Sequence, residues 1–139
     1  MRESQKIMKS ETTKKGNIGL LAVAQEALKR GYIPSFPMEG TIYDLVLEKE
    51  GIFYRVQVKY VTPYKGSLFV KFDSTQGQNT QKYTVKDIDA IIVYNPNHET
   101  FYWIPIVFSK ESLTITLRLF EAKNKQKKGV HRAEEFIQW

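Results

Sequence analysis

Three polar residues interrupt two otherwise apolar segments and together could carry chemistry. Asp44 stands within the apolar run 42–46, while Gln57 and Lys59 lie two positions apart within residues 55–60. Alternate side chains of an extended strand share a face, so Gln57 and Lys59 are predicted to point the same way. The short charged segment between the two runs predicts a hairpin, which brings Asp44 alongside them.

This set of side chains is suited to metal-assisted cleavage of a phosphodiester bond. Mg²⁺ prefers oxygen ligands, which the Asp44 carboxylate, the Gln57 amide and the backbone carbonyl of Val58 can supply. The Lys59 ammonium can position the attacking water or help to deprotonate it. The alternative interpretation is an ordinary cross-strand ion pair between Asp44 and Lys59, with an exposed glutamine beside it.

A wider set of motifs resembles the PD-(D/E)xK endonucleases over residues 14–106. Segments 15–19 and 22–32 look like the first helix of that family, Asp44 is similar to its metal-binding aspartate, and Gln57-Val58-Lys59 is similar to its (D/E)xK element with glutamine replacing the acid. Segments 87–94 and 102–105 are similar to the branch that contains a cyanobacterial intron-encoded homing endonuclease.

The resemblance implies a fold, an activity and a set of site residues. The implied fold is α/β, a restriction-endonuclease-like mixed β-sheet flanked by helices in a single domain. The implied activity is Mg²⁺-dependent, sequence-specific cleavage of double-stranded DNA in a homing or restriction role. Asp44, Gln57 and Lys59 would be the catalytic residues, and Asp44, Gln57 and Val58 the metal ligands.

The chain departs from this branch at position 20. The branch carries a glutamate directly after the glycine of the first helix, where this chain has Leu20. Because that acid helps to hold a metal-bound water, its loss predicts impaired cleavage, and a neutral Gln57 predicts weaker metal binding. Two alternatives therefore stay open: a catalytically inactive DNA-binding protein of the same fold, or an RNA-binding intron accessory protein.

The pattern of apolar residues predicts the elements that must position these side chains. It indicates a helix over residues 14–30 that ends at Gly31. It also indicates a three-stranded meander, a polar loop over residues 74–84, a buried strand at 90–94 and a strand at 101–106. Residues 113–119 can be strand or helix, and residues 133–139 are predicted to be helical. These elements predict one mixed sheet.

Composition limits the class of protein further. The chain has 139 residues with 42% hydrophobic residues, which is enough for one compact domain. It contains no cysteine, which excludes disulfides, thiolate zinc sites and a cysteine nucleophile. No apolar run approaches the roughly 18 residues needed to span a bilayer, so we expect a cytoplasmic protein without a membrane partner.

The positive charge is concentrated at the two ends of the chain. The net charge is +6, yet residues 16–117 hold ten basic and ten acidic residues. We therefore expect a flexible basic arm over residues 1–13 and a nuclease domain over residues 14–139 with a basic C-terminal extension. Basic ends are suited to a polyanion such as duplex DNA, because each cation placed at a phosphate releases counterions.

Candidate DNA contacts follow from charge and from side chains that can read base edges. Glutamine and asparagine pair with adenine in the major groove, which a two-stranded ribbon fits. Because a chain of this size has one active site, cutting both strands requires at least two copies, as in a homodimer or homotetramer. The predicted DNA-contacting residues are Lys14, Lys15, Tyr64, Lys65, Lys71, Gln76, Gln78, Asn79, Gln81, Lys82, Lys123, Lys125, Lys127 and Lys128.

Overall fold

The computed structural model describes residues 2–76, 79–120 and 130–139. This part of the chain forms one α-helix, ten strands and two short 3₁₀ helices. None of its helices is both long and apolar enough to cross a membrane. The bounds are α1 Arg2–Lys29, β1 Ile33–Ser35, β2 Leu45–Lys49, β3 Ile52–Tyr60, β4 Ser67–Lys71, β5 Asp73–Gln76, β6 Asn79–Lys82, β7 Ala90–Asn95, β8 Thr100–Pro105, β9 Thr114–Arg118 and β10 Val130–Arg132, with 3₁₀ helices at Ile106–Lys110 and Ala133–Phe136.

Helix α1 begins twelve residues earlier than the sequence pattern predicts. The backbone from Arg2 onward is helical and continuous with the predicted segment, because neither glycine nor proline interrupts residues 2–15. The predicted end is confirmed, since Gly31 follows the helix with φ of +90°. Glycine adopts this left-handed conformation without a steric penalty, which explains why the helix ends there.

Five strands form the main sheet, in the order β1-β2-β3-β7-β8. Strand β3 is antiparallel to β2 and parallel to β7, with Gln57 beside Ile91 and Lys59 beside Val93. The predicted meander is therefore wrong, because β7 rather than β4 is the second neighbour of β3. Strand β4 instead joins β9 and β10 in a small three-stranded sheet.

Two apolar clusters cover opposite faces of the main sheet. One packs α1 through Val23 and Ala27 against the sheet, and Gly19 of the helix faces the Tyr60 side chain. The other cluster packs the small sheet against the opposite face. All six residues of β7 are buried, which confirms the predicted central strand.

The predicted polar loop over residues 74–84 is wrong, because β5 and β6 form an antiparallel ribbon there. Gln76 pairs with Asn79 and Asp73 with Lys82. Within the described residues this ribbon pairs with no other strand. Its side chains are polar on both faces, so the ribbon gives no apolar alternation by which a strand is recognised.

The C-terminal elements differ from the prediction in detail. Residues Thr114–Arg118 form strand β9, which settles the choice between strand and helix. The predicted helix over residues 133–139 is reduced to the 3₁₀ turn Ala133–Phe136. Phe136 is buried and Trp139 packs against the cluster beneath α1, so tertiary packing rather than helical hydrogen bonding holds this segment.

Candidate active site

Asp44 lies directly before β2, where that strand stops pairing with β3. Its backbone N–H donates to the Val56 carbonyl at 2.8 Å, and its carboxylate Oδ2 accepts a hydrogen bond from the Val58 N–H, also at 2.8 Å. The Asp44 carboxylate therefore accepts from β3 a hydrogen bond that a backbone carbonyl would accept if the pairing of the two strands continued. The N–H and C=O of one strand residue point to the same side, so the Val58 carbonyl faces the side on which Asp44 lies.

Gln57 and Lys59 project from β3 toward the small sheet and the ribbon. The Gln57 Oε1 atom is buried and has no hydrogen-bond partner among the described residues. The Lys59 Nζ donates a 2.7 Å hydrogen bond to the backbone carbonyl of Asp73, the first residue of the ribbon. β3 thus presents an unsatisfied acceptor and a tethered ammonium on one face.

The alternative of an ordinary ion pair beside an exposed glutamine is wrong. The ion pairs of the described residues do not include one between Asp44 and Lys59. Gln57 is half-buried rather than exposed. Asp44 and Lys59 instead make their hydrogen bonds to backbone groups, Asp44 to the Val58 N–H and Lys59 to the Asp73 carbonyl.

Burial shifts the pKa values of both charged groups toward the neutral form. Burial raises the pKa of Asp44 above its ordinary range, against the hydrogen bond from Val58 and the positive charge of Lys59. Burial also lowers the pKa of Lys59; the charges of Asp73 and Asp44 oppose this shift and the charge of Lys71 adds to it. Such opposed pKa shifts in two interacting groups are typical of functional sites.

A cleft of about 370 Å³ opens beside Asp44 and Gln57. The ribbon forms its opposite wall, because Asn79 and Gln81 both line the cleft. Their amides therefore face the same space as the Asp44 carboxylate. The lining residues are Gly40, Thr41, Ile42, Asp44, Gln57, Ser74, Asn79, Gln81 and Tyr83.

Sequence reasoning missed Tyr83, which lies between the ribbon and β3. This residue is 2% exposed, and the Lys59 Nζ lies 5.5 Å from the centre of its ring. Burial raises the pKa of its hydroxyl, against a hydrogen bond with Ser74. The available signal was a single aromatic residue at the end of a ten-residue polar segment, which indicates that the chain returns to the core there.

Leu20 lies on the opposite side of β3 from Gln57 and Lys59. It is half-buried and packs against the apolar cluster beneath α1, to which Val58 and Tyr60 also belong. Its neighbour Leu21 points away from this cluster and is 63% exposed. Position 20 is therefore occupied by a residue that contributes to packing on the helix side of Val58.

The predicted DNA contacts fall in three places. Lys14 and Lys15 are exposed in the middle of α1 rather than before it. A second group lies at β4: Tyr64 and Lys65 precede this strand, and Lys71 is its last residue. Tyr64 is 62% exposed, and the Lys65 Nζ lies 5.4 Å from the centre of its ring.

The remaining candidates belong to the ribbon or fall beyond the description. Asn79, Gln81 and Lys82 are exposed on β6, and the backbone of Gln76 pairs opposite Asn79. Asn79 and Gln81 share one face of the ribbon, while Lys82 lies on the other. Gln78, Lys123, Lys125, Lys127 and Lys128 lie outside the described residues.

The oxygen atoms beside Asp44 fit a divalent cation. The described residues contain no cluster of three or more His, Cys, Asp or Glu side chains, so one carboxylate would need neutral oxygen ligands beside it. The partnerless Gln57 Oε1 and the Val58 carbonyl would be such ligands. A buried acceptor without a donor is costly unless something satisfies it, and a hard cation does so.

The sequence profile of the PD-(D/E)XK endonuclease family matches residues 10–138. The chain therefore belongs to the PD-(D/E)XK endonuclease family, whose members act on DNA and typically use divalent metals.

Among solved structures the chain is similar to a bacterial homing endonuclease, I-Ssp6803I, with 28% sequence identity and a TM-score of 0.72. The similarity covers 90% of this chain and 87% of that one. No curated protein sequence matches the chain. The predicted family and fold class are confirmed.

Proposed function

We propose that this chain is a Mg²⁺-dependent, sequence-specific double-strand DNA endonuclease of the homing or restriction type. The observation that carries the proposal is the buried, partnerless Oε1 of Gln57 in the same cleft as the Asp44 carboxylate. Family membership supports cleavage of DNA, and the similarity to a homing endonuclease supports that role.

Asp44, Gln57 and the Val58 carbonyl would hold the divalent cation. When bound, the cation supplies positive charge to the scissile phosphate and makes the attacking water more acidic. Asp44 is oriented by its hydrogen bond from the Val58 N–H, so the cleft does not have to reorganise to present this carboxylate. Lys59, held by its hydrogen bond to the Asp73 carbonyl, would orient the attacking water with its ammonium.

The ribbon would read the DNA sequence and the basic residues would bind its backbone. Asn79 and Gln81 carry amides that can form paired hydrogen bonds with adenine. The phosphate contacts would come from Lys14, Lys15, Lys65, Lys71 and Lys82 with Tyr64, and from Lys123, Lys125, Lys127 and Lys128 near the C-terminus. Cutting both strands of the duplex would require a homodimer or homotetramer.

A catalytically inactive DNA-binding protein is the second candidate, because the chain has Leu20, which packs into the cluster beneath α1, where the resemblance implies a glutamate. The test is cleavage of a randomised duplex library with Mg²⁺, comparing the parent chain, Leu20→Glu and Leu20→Glu with Asp44→Ala. Leu21→Glu is the matched control, since it adds the same acid at the exposed neighbouring position.

We expect Leu20→Glu to cut, and to cut faster than both the parent chain and Leu21→Glu, with all activity lost on adding Asp44→Ala. Equal cutting by the parent and Leu20→Glu would mean that position 20 does not limit the reaction. DNA binding without cleavage by any form would favour the inactive DNA-binding protein.

A further inference from the structure

The Lys59 side chain ends at the base of the ribbon, where it contacts the first residue of β5 and the residue that directly follows β6. Its Nζ donates to the carbonyl of Asp73, the first residue of β5. The same atom lies 5.5 Å from the ring centre of Tyr83, which directly follows β6. The ammonium is thus held from two sides, by a carbonyl and by an aromatic face.

The position of the Tyr83 ring is fixed independently of Lys59. Tyr83 is 2% exposed and belongs to the apolar cluster that contains Phe72 and Ile88. Its backbone N–H donates to the Phe72 carbonyl at 2.8 Å, which closes the ribbon at its base. Because the core fixes the Tyr83 ring, this ring can restrict the position of the flexible Lys59 side chain beside it.

We propose that Tyr83 is a positioning residue that holds the Lys59 ammonium in the geometry needed for cleavage. The proposal rests on the role of Lys59 given under the proposed function. Lysine has a flexible four-carbon side chain, and a single hydrogen bond still lets the ammonium rotate. The aromatic face adds an attractive contact that restricts this rotation.

The contact itself is measurable by NMR on the unmodified protein. Lysine ε-methylene protons near an aromatic face shift upfield. Lys49, whose Nζ lies 4.7 Å from the Tyr32 ring centre, is the positive reference, and exposed Lys71 is the negative one. We expect the Lys59 signal, assigned with Lys59→Arg, to lie upfield as for Lys49. A Lys59 signal that coincides with that of Lys71 would overturn the proposal.

Variants of Tyr83 separate the ring from the hydroxyl. Tyr83→Leu removes the ring and keeps an apolar side chain, whereas Tyr83→Phe keeps the ring and removes the hydroxyl. We expect Tyr83→Leu to lose the upfield shift and to lower the single-turnover cleavage rate at saturating duplex by about 10-fold to 100-fold. Duplex affinity should stay unchanged, and Tyr83→Phe should keep both the shift and the rate.

A folded Tyr83→Leu protein in which the Lys59 signal stays upfield and the cleavage rate is unchanged would overturn the proposal. Equal losses in Tyr83→Phe and Tyr83→Leu would also overturn it, because the hydroxyl rather than the ring would then matter. If Tyr83→Leu fails to fold, Tyr83→Met replaces it, and the NMR comparison in the unmodified protein needs no variant of Tyr83.

The failure of this proposal is distinguishable from that of the proposed function. Rates are measured in whichever form cuts, the parent chain or Leu20→Glu, with Lys59→Ala beside the Tyr83 variants. If Lys59→Ala cuts normally, the role assigned to Lys59 is wrong. If Lys59→Ala abolishes cutting and Tyr83→Leu does not slow it, the positioning role of Tyr83 alone is wrong.

Discussion

Strand β3 and the β5–β6 ribbon both place polar side chains near the same cleft, but they hold them differently. Gln57 and Lys59 are half-buried on a strand that pairs on both sides. Asn79 and Gln81 are exposed on a ribbon that, within the described residues, pairs only with itself. Chemistry requires groups fixed by a supporting shell, whereas base readout requires groups that can enter a groove. This difference supports the proposal that β3 carries cleavage and that the ribbon carries recognition.

The largest expected effect comes from removing the charged groups of the cleavage side. In a form that cuts, Asp44→Ala and Lys59→Ala should each lower the cleavage rate by about 10³-fold or more. Duplex binding without metal should stay nearly unchanged, because neither group is placed to read bases. Single-turnover kinetics and fluorescence anisotropy measure the two effects.

The matched control for these variants is Lys110→Ala, an exposed lysine at the end of the first 3₁₀ helix. If Asp44→Ala and Lys59→Ala lost binding and cleavage to the same extent, the proposed division of roles between β3 and the ribbon would be wrong. The residues would then be structural supports of the cleft.

On the ribbon, removal of single amides should change sequence preference rather than rate. Asn79→Ala and Gln81→Ala should each cost about 1–3 kcal/mol of discrimination at one base pair. Selection from a randomised duplex library measures this loss. Thr80→Ala is the control, because Thr80 pairs with Thr75 on the other face of the ribbon. An unaltered preference in both amide variants would contradict the recognition role.

A smaller effect is expected from restoring a negative charge at position 57. Gln57→Glu should tighten divalent-cation binding by about 10-fold, because a second carboxylate adds charge to the ligand set. Isothermal titration calorimetry with Mn²⁺ measures the affinity. Gln25→Glu, at an exposed position of α1, is the control. Equal affinities in the two variants would mean that position 57 does not face the cation.

The smallest effect is expected from replacing Asp89, which lies in the segment that leads from the ribbon back to β7. Asp89 accepts hydrogen bonds from the Arg55 backbone N–H at 2.7 Å and from the Arg55 guanidinium at 3.2 Å. Burial works to raise the pKa of Asp89, but these hydrogen bonds and the Arg55 charge lower it below its ordinary value. The ionised form is therefore favoured in the folded state.

Because the folded-state pKa lies below the unfolded one, this stabilisation is present above the unfolded pKa and is lost as the pH falls through the folded pKa. Asp89→Ala should lower the free energy of unfolding at pH 7 by about 1 kcal/mol, because water screens a carboxylate that is 36% exposed. The difference from the parent should shrink below the ordinary value of 3.8. Urea unfolding at pH 7 and at a pH below 3.8 measures this difference in the free energy of unfolding, with exposed Glu39→Ala as the control. A difference in the free energy of unfolding that did not depend on pH would contradict the claim that the stabilisation comes from the charge of Asp89.

The parts of the fold that depend on local pattern were predictable, and the parts that depend on distant pairing were not. Strand β3, the buried strand β7 and the helix end at Gly31 follow from residues close in sequence. The parallel pairing of β3 with β7 joins segments more than thirty residues apart. No periodicity within either segment specifies its partner in the other.

The candidate site divides in the same way. Asp44, Gln57 and Lys59 were detectable because polar side chains interrupt apolar strands. Tyr83 was not, because an aromatic residue is an ordinary core residue until the tertiary structure brings it against Lys59. The ribbon was hidden by its polar composition, which gives no apolar alternation.

The central claim is that Asp44, Gln57 and Val58 form a divalent-cation site, and a crystal structure with Mn²⁺ and duplex DNA tests it most directly. The anomalous signal of Mn²⁺ locates the ion without relying on cleavage. We predict a peak at the oxygen atoms of these three residues that disappears in Asp44→Ala crystals. A peak at another set of residues, or one that survives Asp44→Ala, would contradict the account.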